Sequence, residues 1–204
     1  TMEFTAGVFT NLTQDHLDYH ETMEDYAGEK AKLFKKLKVE GTAVINNDDE
    51  FSQFFKDSTT NNIITYGIEN KSDLQAEDIE LSLAGVKFNL NTLKYNLNLT
   101  GKFNIYNSLA AAGVAKSLGI KEELIKESLE SVKGIPGRFE TINIGQNFTV
   151  IIDYAHTPDS MKNVLDAVKH FKHKDIIIVF GCGGERDKGK RPIMGEIAVE
   201  EGDY

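Results

Sequence analysis

Short apolar runs alternate with helical stretches along this chain, and that alternation restricts it to a mainly parallel sheet packed against helices. Gly41-Thr42-Ala43-Val44-Ile45-Asn46 and Asn62-Ile63-Ile64-Thr65-Tyr66 read as buried strands, with a helical stretch from Asp48 to Lys56 between them. From Leu74 to Thr100 the period falls to two residues, as in Val86-Lys87-Phe88-Asn89-Leu90, which predicts a small antiparallel layer. Helices over 104–118 and 121–132 follow, with Gly119 placed to end the first. Gly134-Ile135-Pro136-Gly137 then interrupts the pattern as a hinge would. Beyond it, 138–144 and 148–152 form a predicted hairpin, and Thr157-Pro158 suits the N-cap and first turn of a helix. Asp175-Ile176-Ile177-Ile178-Val179-Phe180 has the composition of a strand covered on both faces, followed by a glycine-rich turn and a helix from Pro192. The expected fold class is α/β.

Two neighbouring features carry chemistry. Between Met23 and Lys38, apolar residues recur at Met23, Tyr26, Leu33, Phe34 and Leu37, the stripe of one amphipathic helix, and Lys30 falls inside that stripe. A lysine facing a core needs a counter-charge, a route to water, or loss of its charge. A neutral amine can also take up carbon dioxide as a carbamate, an anionic oxygen ligand for Mg²⁺. Just upstream, Thr10-Asn11-Leu12-Thr13-Gln14-Asp15-His16-Leu17-Asp18-Tyr19-His20 places two His and two Asp within its last six residues, donors suited to divalent metals. The same run also suits a solvated loop whose Asp residues cap the next helix.

Further candidates lie at strand ends, where open α/β sheets bind ligands. Asp153 and His156 follow one predicted strand, and the 181–191 loop with Lys190 follows another. Asp153 also suits a turn cap, and Arg138 an ion pair with Glu140. Asn104 and Asn107 open a helix; an amide offers the donor and acceptor that an adenine edge needs, while Asn104 equally suits an N-cap. Gly184 to Lys190 spells the start of a phosphate-binding loop, yet Arg191 stands where a Ser or Thr should meet Mg²⁺.

Several of these runs together resemble one family. Asn11-Leu12 with Asp15-His16-Leu17-Asp18-Tyr19-His20, then Gly101-Lys102-Phe103-Asn104-Ile105-Tyr106-Asn107-Ser108, Gly137-Arg138-Phe139-Glu140, Asp153-Tyr154-Ala155-His156-Thr157-Pro158-Asp159, and Phe180-Gly181-Cys182-Gly183-Gly184-Glu185-Arg186-Asp187-Lys188-Gly189-Lys190-Arg191 resemble the Mur ligases of the MurE type. The resemblance implies the later part of a parallel-sheet ATPase domain over 1–135 and the start of a Rossmann-like C-terminal domain over 136–204. It implies an ATP-dependent amide ligase of peptidoglycan synthesis. That enzyme adds L-lysine or meso-diaminopimelate to UDP-N-acetylmuramoyl-L-Ala-D-Glu through an acyl phosphate. It assigns Mg²⁺ to His16 and a carbamylated Lys30, and ATP to Asn107, with Asn104 as second choice, and to Arg138 and Asp153. His156 and Lys190 are weaker candidates for the nucleotide. In the family the phosphate-binding loop precedes the region matched here, so this chain alone is expected to be an inactive fragment. Folylpolyglutamate and cyanophycin synthetases share the architecture and are the rival enzymes; a non-catalytic nucleotide-binding paralogue is the rival of another class.

Composition narrows the setting. A net charge of −9 argues against nucleic acid as the main partner. No run approaches the length of a transmembrane helix. The single cysteine, Cys182, excludes an intrachain disulfide and fits a reducing cytoplasm. A monomeric cytoplasmic enzyme is expected.

Overall fold

The computed structural model describes residues 2–13, 22–142, 144–171, 174–183 and 188–204. Strands β1 (Phe4–Phe9), β2 (Leu37–Asn46), β3 (Asn62–Gly67), β4 (Leu74–Ser82), β5 (Gly85–Leu90) and β6 (Leu93–Leu97) lie side by side in chain order in one sheet. The first four are parallel and the last three antiparallel. The alternating stretch is therefore no separate layer. β4 begins in parallel register with β3, Tyr66 opposite Leu74, and continues in antiparallel register with β5, Ala76 opposite Leu90.

Side-chain alternation along β2 divides the interior. Ala43 and Ile45 face a core with α1 (Met23–Ala31), a 3₁₀ turn (Phe34–Lys36) and α2 (Ser52–Asp57). Val44 faces the opposite core, with α3 (Lys102–Ser117) and α4 (Glu122–Ser131). Gly113 lets α3 approach the sheet: a Cβ there would stand 2.6 Å from Val44 Cγ1.

Two expected helices are shorter than their patterns. The periodicity of 23–38 is not one helix, because α1 stops at Ala31 and Leu37 is drawn into parallel pairing opposite Phe4. α2 starts at Ser52, not Asp48, because the Asp48 and Asp49 carboxylates accept backbone N–H groups from neighbouring segments and hold a turn.

Beyond α4 the chain forms the hairpin of β7 (Glu140–Ile142) and β8 (Val150–Ile152), then α5 (Pro158–Lys169) and α6 (Lys190–Glu201). Thr157 caps α5 in a reciprocal box with Ser160. Met161, Leu165 and Met194 form a small core with Ile176, Ile178 and Cys182. The 175–180 run is not the doubly covered strand expected. α5 and α6 cover one face only, so Ile177 and Val179 are 72% and 94% exposed. Its backbone bonds go to the 203–204 segment, with Ile178 N–H donating to Tyr204 O at 2.9 Å. No described helix is long and apolar enough to cross a membrane.

Candidate functional site

A cleft of ≈ 560 Å³ opens where β1 ends, α3 begins and α5 begins. Thr10, Asn11, Thr13, Tyr26 and Lys30 line one side, Phe103, Asn104 and Asn107 the α3 side, and Arg138, Asp153, His156 and Asp159 the remaining side.

The α3 wall starts from a glycine. Gly101 has φ +96°, and a Cβ there would meet the Phe103 ring at 2.6 Å. Because Gly101 is the N-cap, Asn104 is not the cap its sequence suggested; it sits inside the first turn. Its buried amide donates to Thr100 O at 2.8 Å, and its Oδ1 accepts from Asn107 Nδ2 at 3.2 Å. Asn104 thus holds Asn107 against the cleft by one amide proton.

The opposite wall is tied together by Asp153. Its Oδ2 accepts from Phe139 N–H and its Oδ1 from Ala155 N–H, both at 2.7 Å. The first bond holds Phe139 in the left-handed region, φ +48°, which a bulky side chain rarely adopts. The Phe139 ring is buried, with Phe103 and Phe171 at 6.0 and 6.5 Å. Asp153 is therefore both a turn cap and a cleft-lining carboxylate. Arg138 lies with its guanidinium 4.8 Å above the Tyr154 ring, and Tyr154 sits 5.0 Å from the His156 ring. Glu140, the partner expected for Arg138, accepts from Gly137 N–H at 2.8 Å. Lys190 donates to His156 O at 2.8 Å, tying the start of α6 to this turn without lining the cleft itself.

Lys30 departs from its sequence reading. It is exposed at the flank of α1, and its Nζ lies 4.7 Å from the Tyr26 ring centroid. Tyr26, Ala27 and Ala31 form the buried face, and the helix ends before Phe34 can extend the stripe over Lys30. The burial argument for a neutral amine therefore does not apply, although Lys30 does line the cleft. His16 lies outside the described residues, as does Gly184 of the near phosphate loop. Among the described residues no group of three or more His, Cys, Asp or Glu gathers as a metal site.

Asp159 and Asn163 line the cleft without having been singled out from sequence. Their i, i+4 spacing on the helix that Pro158 begins was the available signal. Asn163 Nδ2 donates to Asp159 Oδ2 at 3.1 Å. Asp159 is exposed on α5, yet the cleft wall removes enough water to push its carboxyl up, against the opposing pull of Asn163 and Lys162.

The Mur ligase middle domain matches residues 1–115, and the Mur ligase glutamate ligase domain matches 137–201. The chain belongs to the Mur ligase family. This Mur ligase chain is 49% identical over 204 residues to the UDP-N-acetylmuramoyl-L-alanyl-D-glutamate–2,6-diaminopimelate ligase of Halalkalibacterium halodurans, covering 97% of the chain and 42% of that relative. The ligase of the same name from Geobacillus thermodenitrificans is 47% identical, with 98% and 43% covered. A solved structure of a ligase with that name superimposes with TM-score 0.70 at 36% identity, covering 97% of this chain and 42% of the other. The chain spans less than half the length of these curated relatives.

Proposed function

We propose that this chain forms part of a MurE-type ligase that joins an amino acid to UDP-N-acetylmuramoyl-L-Ala-D-Glu at the expense of ATP. The observation that carries this reading is that Lys30, Asn107, Arg138 and Asp153, far apart in sequence, line one cleft. The division at 135/136 accompanies the reading, and closure about Gly134–Gly137 would bring the two sides onto the nucleotide.

In the reaction, an oxygen of the D-Glu carboxylate attacks the γ-phosphorus and ADP leaves, giving an acyl phosphate. The incoming amine attacks the acyl carbon, loses a proton, and the tetrahedral intermediate expels phosphate. Such transfers depend on positioning and on neutralising charge. Asn107, held by Asn104, offers donor and acceptor to the adenine edge. Asp153 accepts from a ribose hydroxyl through the lone pairs that Phe139 and Ala155 leave, and Arg138 meets phosphate oxygens. His156 and Lys190 support that wall. His16 and Lys30, the latter as its carbamate, are the residues proposed to hold Mg²⁺, which when bound neutralises phosphate charge.

The names of the relatives favour meso-diaminopimelate over L-lysine as the amine. The test is phosphate release by the full-length protein, with UDP-N-acetylmuramoyl-L-Ala-D-Glu and each amino acid offered separately. Release that depends on meso-diaminopimelate is expected. Release with L-lysine alone overturns the choice of amine, and release with neither overturns the ligase reading.

A further inference from the structure

We infer that the turn Asn46-Asn47-Asp48-Asp49, which lines no part of the cleft, sets the position of two of its walls and so acts as a set of positioning residues for the reaction; this rests on the ligase reading above. The turn leaves the end of β2 and sends two side chains, Asn46 and Asp49, to the β1 wall and one, Asp48, to the α3 wall. Asn46, 7% exposed, donates from Nδ2 to Thr10 O at 2.7 Å. Asp49 Oδ2 accepts from Leu12 N–H at 2.9 Å, and its Oδ1 accepts from Phe51 N–H at 2.9 Å. From the adjacent strand, the buried Tyr66 hydroxyl donates to Phe9 O at 3.0 Å. The backbone from Phe9 to Leu12, which turns into the β1 wall, is thus gripped at three points.

Asp48 reaches the other way. Its Oδ2 accepts from the Tyr106 hydroxyl at 2.8 Å, and Tyr106 lies on α3 between Asn104 and Asn107. Asp48 is itself fixed by Ile68 N–H at 2.6 Å, Glu69 N–H at 3.0 Å and Asn70 N–H at 2.7 Å. Its own N–H donates to Asn46 Oδ1 at 3.1 Å, so the two arms share one rigid turn. A carboxylate can also staple a turn with no bond to either wall. Asp73 is such a case: its Oδ2 accepts from Thr65 N–H at 2.8 Å and from the Thr65 hydroxyl at 2.7 Å, and neither residue lines the cleft.

The test compares Asp49→Ala, Asp49→Asn, Asp48→Ala and the control Asp73→Ala in the full-length ligase. Thermal midpoint, kcat and KM for phosphate release, and affinity for a fluorescent ATP analogue are measured for each. All three alanine variants should lose thermal stability. Asp49→Ala should lose roughly ten- to hundredfold in kcat, as small displacements of a positioned wall do, while Asp73→Ala keeps kcat within about twofold. Asp49→Asn retains one acceptor oxygen and should recover part of kcat. Asp48→Ala should weaken nucleotide affinity by roughly tenfold through the released α3 wall. If Asp49→Ala does not fold, Asp49→Asn carries the comparison, with kcat below that of Asp73→Ala expected and equal values overturning the inference. Wild-type kcat in Asp49→Ala, with wild-type nucleotide affinity in Asp48→Ala, overturns it outright. A wild-type protein that releases no phosphate defeats the ligase reading instead. The positioning role then stands or falls on whether Asp48→Ala weakens the nucleotide.

Discussion

Replacing Gly113 by alanine should destabilise this protein, although the same change stabilises most helices. Alanine in a helix interior is favoured over glycine by about 1 kcal/mol, because glycine surrenders more backbone freedom. At Gly113 the new methyl would stand 2.6 Å from Val44 Cγ1 and 3.6 Å from Leu74 Cδ1. Val44 is wholly buried and β-branched, so its side chain has little rotamer freedom with which to yield. The ordinary contact distance is restored only if α3 moves away from β2, and overpacking of this kind costs about 1–3 kcal/mol. The net loss is about 1 kcal/mol, a fall of about 3 °C in Tm for a chain of this size. Gly28 provides the internal comparison. It lies in α1, where an added methyl would have nothing within 4 Å, so Gly28→Ala should gain about 1 kcal/mol. Thermal or urea unfolding of the two variants should give shifts of opposite sign. Shifts of the same sign would refute the packing of α3 on the sheet, and with it the height of the Asn104–Asn107 wall.

Other perturbations give equally direct readings. Asp153→Ala leaves two backbone N–H groups without their carboxylate, which should cost about 1–3 kcal/mol in unfolding experiments, and nucleotide affinity measured by titration should fall with it. Burial pushes the Asp48 carboxyl up, but the N–H groups of Ile68, Glu69 and Asn70 and the Tyr106 hydroxyl outweigh it and hold the group below 3.8. The Thr65 hydroxyl and N–H likewise hold Asp73 below 3.8. Both carboxylates therefore stabilise the fold above that pH, and urea midpoints should fall as pH drops through their folded values, less steeply in Asp73→Asn. Asp159 is shifted the other way, so its stabilising contribution is present below 3.8 and lost as pH rises through its folded value; Asp159→Asn should raise the neutral-pH midpoint slightly. Lys30→Ala should abolish phosphate release by the full-length ligase, with partial recovery on adding a short-chain carboxylate; an active alanine variant would make Lys30 dispensable.

The strands around Val44 and Ile64 were legible because continuous apolar runs and β-branched residues leave few alternatives to a buried strand. Gly119 and Thr157-Pro158 were legible because a left-handed C-terminus and a capped N-terminus demand specific side chains. A single helix over 23–38 does not form because local periodicity cannot register that Leu37 pairs better opposite Phe4 than it continues a helix. The 175–180 run departs from expectation because an apolar composition reports a demand for cover and not whether cover is present. In the cleft, Arg138, Asp153 and Asn107 were legible through motifs. The exposure of Lys30 depended on where α1 stops, and the Asn46–Asp49 turn acts through hydrogen bonds to segments distant in sequence, which no spacing rule reveals.

Hydrogen exchange of the full-length ligase, with and without a non-hydrolysable ATP analogue and Mg²⁺, tests most directly whether this cleft holds the nucleotide. Protection should rise together around Asn104–Asn107, Gly137–Glu140 and Asp153–Thr157. Saturating binding that leaves those three segments unchanged would contradict the assignment of the cleft.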